Sequence, residues 1–206
     1  MDDLVEKALA RWPNVPAIAG WLKLGAQGDW LLTGPVPQGL SITNERILNF
    51  IARNYAIDPD GRCYFQNGPQ KVYVALEATP WIYRVYPLGD GSLMLATHTG
   101  LLAWPSGMVL DEQGRLYIQT TLGIGLVHGS DTPCLAEGLQ PNGEGYTHRA
   151  QWCVPEGDPD ALVRVRVRLR KPDTLSPRCT ALDLPVVEQS FLALKTASGF
   201  ESDPHL

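Results

Sequence analysis

At 206 residues, 44% hydrophobic and 19% charged, the chain is long enough to bury a core and too ordinary in composition to be disordered or fibrous. Its formal net charge of −5 argues against wholesale nucleic-acid binding, and 20 glycines with 17 prolines call for many turns rather than a helical bundle. The opening MDDLVEKALARW lacks the regions of a signal peptide and no apolar run reaches membrane-spanning length, so a cytoplasmic protein is expected.

In chain order, Asp2 or Asp3 caps a short helix with Leu4, Val5, Ala8 and Trp12 on one face. A hairpin follows, Gly20 to Leu24 and Asp29 to Thr33, turning at Gly25-Ala26-Gln27-Gly28. A second helix runs from Thr43 or Asn44 to Tyr55, with Ile47, Leu48, Ile51 and Tyr55 on its buried face. Three alternating strands come next: Arg62 to Gln66, Lys71 to Leu76 and Trp81 to Tyr86. Asp58-Pro59-Asp60-Gly61 and Asn67-Gly68-Pro69 supply the first turns.

Leu88-Gly89-Asp90-Gly91 is a further tight turn, and Ser92 to Thr97 a strand. Gly107 to Leu110 and Arg115 to Thr120 form another hairpin, and Gly123 to Val127 the next strand. Ser130 to Tyr146, rich in Gly, Pro, Asn and Asp, reads as a long loop. Arg149 to Cys153 is a short strand. Val163 to Arg170 alternates most regularly, setting Arg164, Arg166, Arg168 and Arg170 on one face about 6.6 Å apart. Val187, Phe191 and Leu194 mark a terminal helix.

One pattern recurs. Asp58-x-x-Gly61-Arg62-x-Tyr64-x-Gln66 matches Asp111-x-x-Gly114-Arg115-x-Tyr117-x-Gln119. Asp and Gly are turn residues, but turn geometry does not require Arg, Tyr and Gln, so a duplication or two equivalent hairpins is expected. The expected fold is α+β: two related, mostly antiparallel halves with two or three short helices. Residues 1–86 hold helix, hairpin, helix and three strands; residues 87–206 form a β-rich half with a terminal helix.

Arg62, Tyr64, Lys71, Tyr73, Trp81, Arg84, His98 and Arg115 are the candidate ligand-binding residues, aromatics and cations suited to a planar anionic ligand. The four arginines of the later strand are a second anion or partner surface, against which stands a solvated face paired with acidic neighbours. Cys63, Cys134, Cys153 and Cys179 show no close-paired spacing, and reduced thiols are expected. His128, Cys134, His148 and Cys153 fit no regular zinc spacing. No nucleophile elbow, zincin motif or phosphate loop is present, so no catalytic residue, metal or cofactor is assigned.

Gly28-Asp29-Trp30, the helix after it, Asp60-Gly61-Arg62-x-Tyr64-Phe65 and Thr79-Pro80-Trp81 resemble a proteobacterial family filed as domains of unknown function. The resemblance spans residues 20 to 130 and departs at Gln70-Lys71 and Leu76-Glu77-Ala78. It implies a duplicated α+β core, a C-terminal half loosely like a pleckstrin-homology barrel, a signalling-type ligand-binding role, and importance for Tyr64, Lys71 and Trp81. The expected function is a non-catalytic module binding a small anionic or nucleotide-like ligand at the interface between halves. The alternatives are a hydrolytic or metal-dependent enzyme using His98 or a metal near His128 and His148, and a protein-interaction module using the arginine strand. No oligomeric state follows from the residues.

Overall fold

The chain divides into two compact units, Met1–Pro80 with Gly199–Leu206, and Trp81–Ser198. The computed structural model describes residues 1–34, 39–143, 145–154 and 178–203. The Arg164, Arg166, Arg168 and Arg170 face lies outside the described residues.

The first unit opens with α1 (Asp3–Arg11). Of its expected apolar face only Val5 is buried; Leu4 is 79% and Trp12 50% exposed. Polar contacts dock the helix start instead: the Asp2 amide donates to Asn54 Oδ1 (2.9 Å), and Arg53 Nε donates to the Asp2 carboxylate (2.9 Å). Strands β1 (Ile18–Leu24), β2 (Trp30–Leu32) and β3 (Leu40–Ser41) lead to α2 (Glu45–Asn54).

Asn44 caps α2 by accepting from the amides of Arg46 and Ile47, satisfying two donors that have no partner within the helix. Ile51 and Asn54 are its buried residues, whereas Ile47 is 48% exposed. Tyr55 ends the helix and begins β4 (Tyr55–Ile57), so it packs from the sheet, its hydroxyl donating to the Pro80 carbonyl (2.8 Å). β5 (Cys63–Asn67) and β6 (Gln70–Leu76) complete a six-stranded sheet of order β3-β2-β1-β6-β5-β4. Its pairs are antiparallel except β1 with β6, which run parallel.

The second unit holds β7 (Trp81–Pro87), β8 (Leu93–Thr97), β9 (Pro105–Leu110), β10 (Leu116–Thr120) and β11 (Gly123–Val127). A 3-10 turn at Gly129–Asp131, α3 (Thr132–Ala136) and β12 (Leu139–Asn142) occupy most of the segment expected to be a long loop. Proline in the first turn of α3 fits the helix start, because the amide it lacks would have had no partner there. β13 (Gly145–Val154), β14 (Arg178–Glu188) and α4 (Phe191–Ser198) end the unit; Val187 belongs to the strand rather than the helix.

The sheet order is β12-β13-β14-β9-β10-β11-β7-β8, and a further parallel pairing of β13 with β8 closes seven strands into a barrel. β8 is buried along its whole length because both faces are covered. Met94 and Ala96 join Leu102 and Cys153 in a cluster flanked by Tyr86 and Leu88; the alternate Leu95 faces the other way and is also buried. Gly125 lets β11 lie close against β7, since a Cβ there would strike the Tyr83 ring and the Trp81 carbonyl. The fold is α+β, as the sequence implies.

Candidate functional site

The two copies of the Asp-x-x-Gly-Arg pattern build the same locked turn. Asp58 N donates to Arg62 O (2.9 Å) and Gly61 N to Asp58 O (3.0 Å); Asp111 N donates to Arg115 O and Gly114 N to Asp111 O (3.0 Å each). Gly61 and Gly114 take φ of 79° and 74°, a left-handed conformation in which a Cβ is strained. The backbone alone is not distinctive, since the turns at 25–29, 88–92 and 97–101 repeat both bonds.

The side-chain lock distinguishes the pair. Asp58 accepts from the Asp60 and Arg62 amides and from Arg62 Nε (3.0 Å each). Asp111 accepts from the Gln113 amide (3.0 Å), the Arg115 amide (2.8 Å) and Arg115 Nε (2.7 Å). Burial opposes ionisation of both carboxyls, but the hydrogen bonds from the arginine backbone and side chain outweigh it and hold both below the usual range.

Four of the candidate residues meet on one face of β5 and β6. The register pairs Tyr64 with Tyr73 and Gln66 with Lys71, and period two keeps Arg62, Tyr64, Lys71 and Tyr73 on the same side. The Arg62 guanidinium lies 4.7 Å from the Tyr73 ring centre; Lys71 Nζ lies 4.3 Å from that of Tyr64 and 5.7 Å from that of Tyr73. Arg62 also pairs with Asp58 and Asp60 (2.9 Å each), and Tyr73 Oη donates to Asp58 (3.2 Å). Burial, with Asp58 adding to it, pushes the Tyr64 phenol up. Among the described residues Lys71 has no carboxylate within ion-pair distance.

The remaining candidates sit in the second unit with structural partners. Trp81 Nε1 donates to the Leu122 carbonyl (2.7 Å). Arg84 grips Asp131 (2.6 and 3.2 Å), which also accepts from the Val85 amide (3.0 Å). Arg115 lies over Phe191 at 4.8 Å, and Tyr117 stacks on the same ring. His98 Nδ1 accepts from the Ile82 amide (3.3 Å). Burial drives His98 down to about 3, leaving it neutral near pH 7.

His128 Nδ1 bonds Ser130, Cys134 lies in α3, and His148 is fully buried beside Trp152. They do not converge with Cys153. Among the described residues the one group of three potential metal donors is Asp90, Cys153 and Cys179. Against the expectation of reduced thiols, Cys153 and Cys179 form a disulfide between directly paired residues of β13 and β14. Their separation of 26 in sequence carries no sign of this, because the pairing comes from strand register. Cys63, fully buried, has its thiol pushed up to about 12 by desolvation.

A family model described as "Protein of unknown function (DUF2946)" matches residues 1–205. The chain belongs to this family. Membership of an uncharacterised domain family is what the resemblance of its strand and turn motifs implied. A solved structure of a DUF1285 family protein from Silicibacter pomeroyi DSS-3 is similar at 17% identity, covering 72% of this chain and 90% of that one, with a TM-score of 0.48. No curated protein matches the chain. No helix among the described residues is long and apolar enough to cross a membrane.

Proposed function

We propose that this DUF2946-family chain is a non-catalytic module that binds a small anionic, nucleotide-like ligand, and that the Arg62–Tyr73–Lys71–Tyr64 face of the first unit receives it. One observation carries this reading: among the described residues Lys71 is the cation of the array with no carboxylate beside it, while Arg62, Arg84 and Arg115 are each neutralised. A half-buried ammonium over an aromatic ring offers an anion its counter-charge and a planar group its stacking surface. A ligand-sensing role in signalling suits such a module. The shared strand order, β2-β1-β6-β5-β4 against β8-β7-β11-β10-β9, supports an origin of both units in one repeated hairpin and meander.

A thermal-shift screen with nucleotides and phosphorylated sugars tests the function. A ligand that raises the melting temperature is expected, with K71A weakening it about tenfold or more and R115A leaving it unchanged. If no ligand at millimolar concentration shifts the transition, or if K71A binds as tightly as the parent, the reading is wrong.

A further inference from the structure

The Cys153–Cys179 pair carries a second chemistry, independent of the Lys71 face. Three elements bring it together. The register of β13 with β14 sets Cys153 opposite Cys179. The parallel pairing of β13 with β8 sets Cys153 opposite Met94, beside the turn from Leu88 to Ser92. That turn is fixed by Leu88 N donating to Ser92 O (2.8 Å) and Gly91 N to Leu88 O (3.0 Å), and it presents Asp90.

Within the turn, the Ser92 amide and hydroxyl both donate to Asp90 Oδ1, leaving Oδ2 3.9 Å from Cys179 Sγ. Ser92 has a single hydroxyl hydrogen, and Asp90 takes it. Its oxygen therefore turns a lone pair toward Cys153 Sγ at 2.9 Å, where a reduced thiol finds an acceptor. Cys153 is buried, whereas Asp90 and Cys179 are exposed, so the cluster has an open side.

We propose that Asp90, Cys153 and Cys179 form a redox-gated site for a thiophilic divalent cation of the zinc class. The donor atoms lie within 4.8 Å of one another. Zinc at about 2.3 Å from sulfur and 2.0–2.2 Å from oxygen needs the two sulfurs, once reduced, to part from bonding distance and the Asp90 oxygen to close slightly on Cys179, with water as fourth ligand. Two thiolates select a soft or borderline cation over calcium or magnesium. In the oxidised chain the sulfurs are bonded to each other and the site is shut. A dithiol opens it by exchange: its thiolate attacks one sulfur, its second thiol resolves the mixed disulfide, and the reductant leaves as a disulfide. The chain then holds two thiols. Cation binding releases their two protons to water and ligates both sulfurs. An incoming disulfide runs the exchange backward and expels the cation.

The test uses the full chain, reduced with a phosphine that is then removed without air, and titrated with Co(II) and then Zn(II). One equivalent of Co(II) per chain is expected, with a sulfur-to-cobalt charge-transfer band that Zn(II) abolishes. The oxidised chain shows no band. Cys179 is exposed, so C179S is preferred to a change at the buried Cys153; it and D90N each weaken binding about tenfold or more, while C134S leaves it unchanged. Absence of the band in the reduced chain overturns the proposal. So does a band of equal strength in the oxidised chain, in C179S or in D90N.

Discussion

The turn at Asp58 and the turn at Asp111 share a backbone, a glycine and an Asp–Arg lock, and each begins a meander placed in the same five-strand order. They differ in which tyrosine closes the lock. In the second unit Tyr117, two residues past Arg115, donates to Asp111 (2.9 Å). In the first unit the equivalent Tyr64 does not; Tyr73 on the neighbouring strand donates to Asp58, and Tyr64 lies under Lys71. The positions facing Tyr117 and Gln119 are Leu126 and Ile124, where the first unit has Tyr73 and Lys71. A shared structural device has thus released one aromatic ring in one unit and kept it occupied in the other.

The sharpest way to break the comparison is at the two glycines. Both G61A and G114A put a side chain at positive φ, costing about 1–2 kcal/mol. At Gly114 the space is open, but at Gly61 the new methyl collides with the Gly199 carbonyl. G61A is therefore expected to lose about 3 kcal/mol or more in denaturant unfolding, and equal losses at the two sites would deny the tail contact. Next, D58A and D111A each leave amide and tyrosine donors of the lock without their acceptor, but D111A also strips Arg115 of its carboxylate whereas Arg62 keeps Asp60, so about 3 kcal/mol is expected to be lost in D111A and less in D58A. If only one is sensitive, the locks are not equivalent.

Acid separates the units. The described histidines all lie in the second unit. Folded His98 takes no proton until about pH 3, whereas an unfolded histidine takes one near 6.5. Its contribution is complete above pH 6.5 and declines by about 1.4 kcal/mol per pH unit as pH falls toward 3. H98N should flatten that part of the stability–pH curve; an unchanged slope would show that His98 is not the group responsible. The depressed Asp58 and Asp111 act lower, their stabilisation falling away below about pH 4 in both units. The smallest effect is the most specific. Y117F and Y73F should each cost about 1 kcal/mol, and Y64F less than about 0.5. A loss at Y64F equal to that at Y117F would erase the distinction between the turns.

Much of this was written in local pattern. Period two gave the strands around Tyr64 and Lys71, and it placed Arg62, Tyr64, Lys71 and Tyr73 on shared faces. The pattern could not say that Arg62 is neutralised by Asp58 and Asp60, because turn aspartates look alike whether or not they carry a guanidinium. Parallel pairings were equally hidden. β7 follows the first meander in sequence but pairs with β8 and β11, so its place in the second unit depends on residues that come later. The barrel closes through Trp152 opposite Leu93 and Cys153 opposite Met94, a register no window of sequence contains. Turn-rich composition masked α3 and β12, which are too short to show a period of their own.

The first unit draws on both ends of the chain. Glu201 N donates to Gly61 O (3.0 Å) and Leu76 N to Ser202 O (2.7 Å). During synthesis, then, residues 1–80 emerge without these partners and wait for Ser202, while every strand of the second unit is already outside the ribosome. The unit made first is finished last, and a translation pause or a tag fused close behind Ser202 falls on its final step.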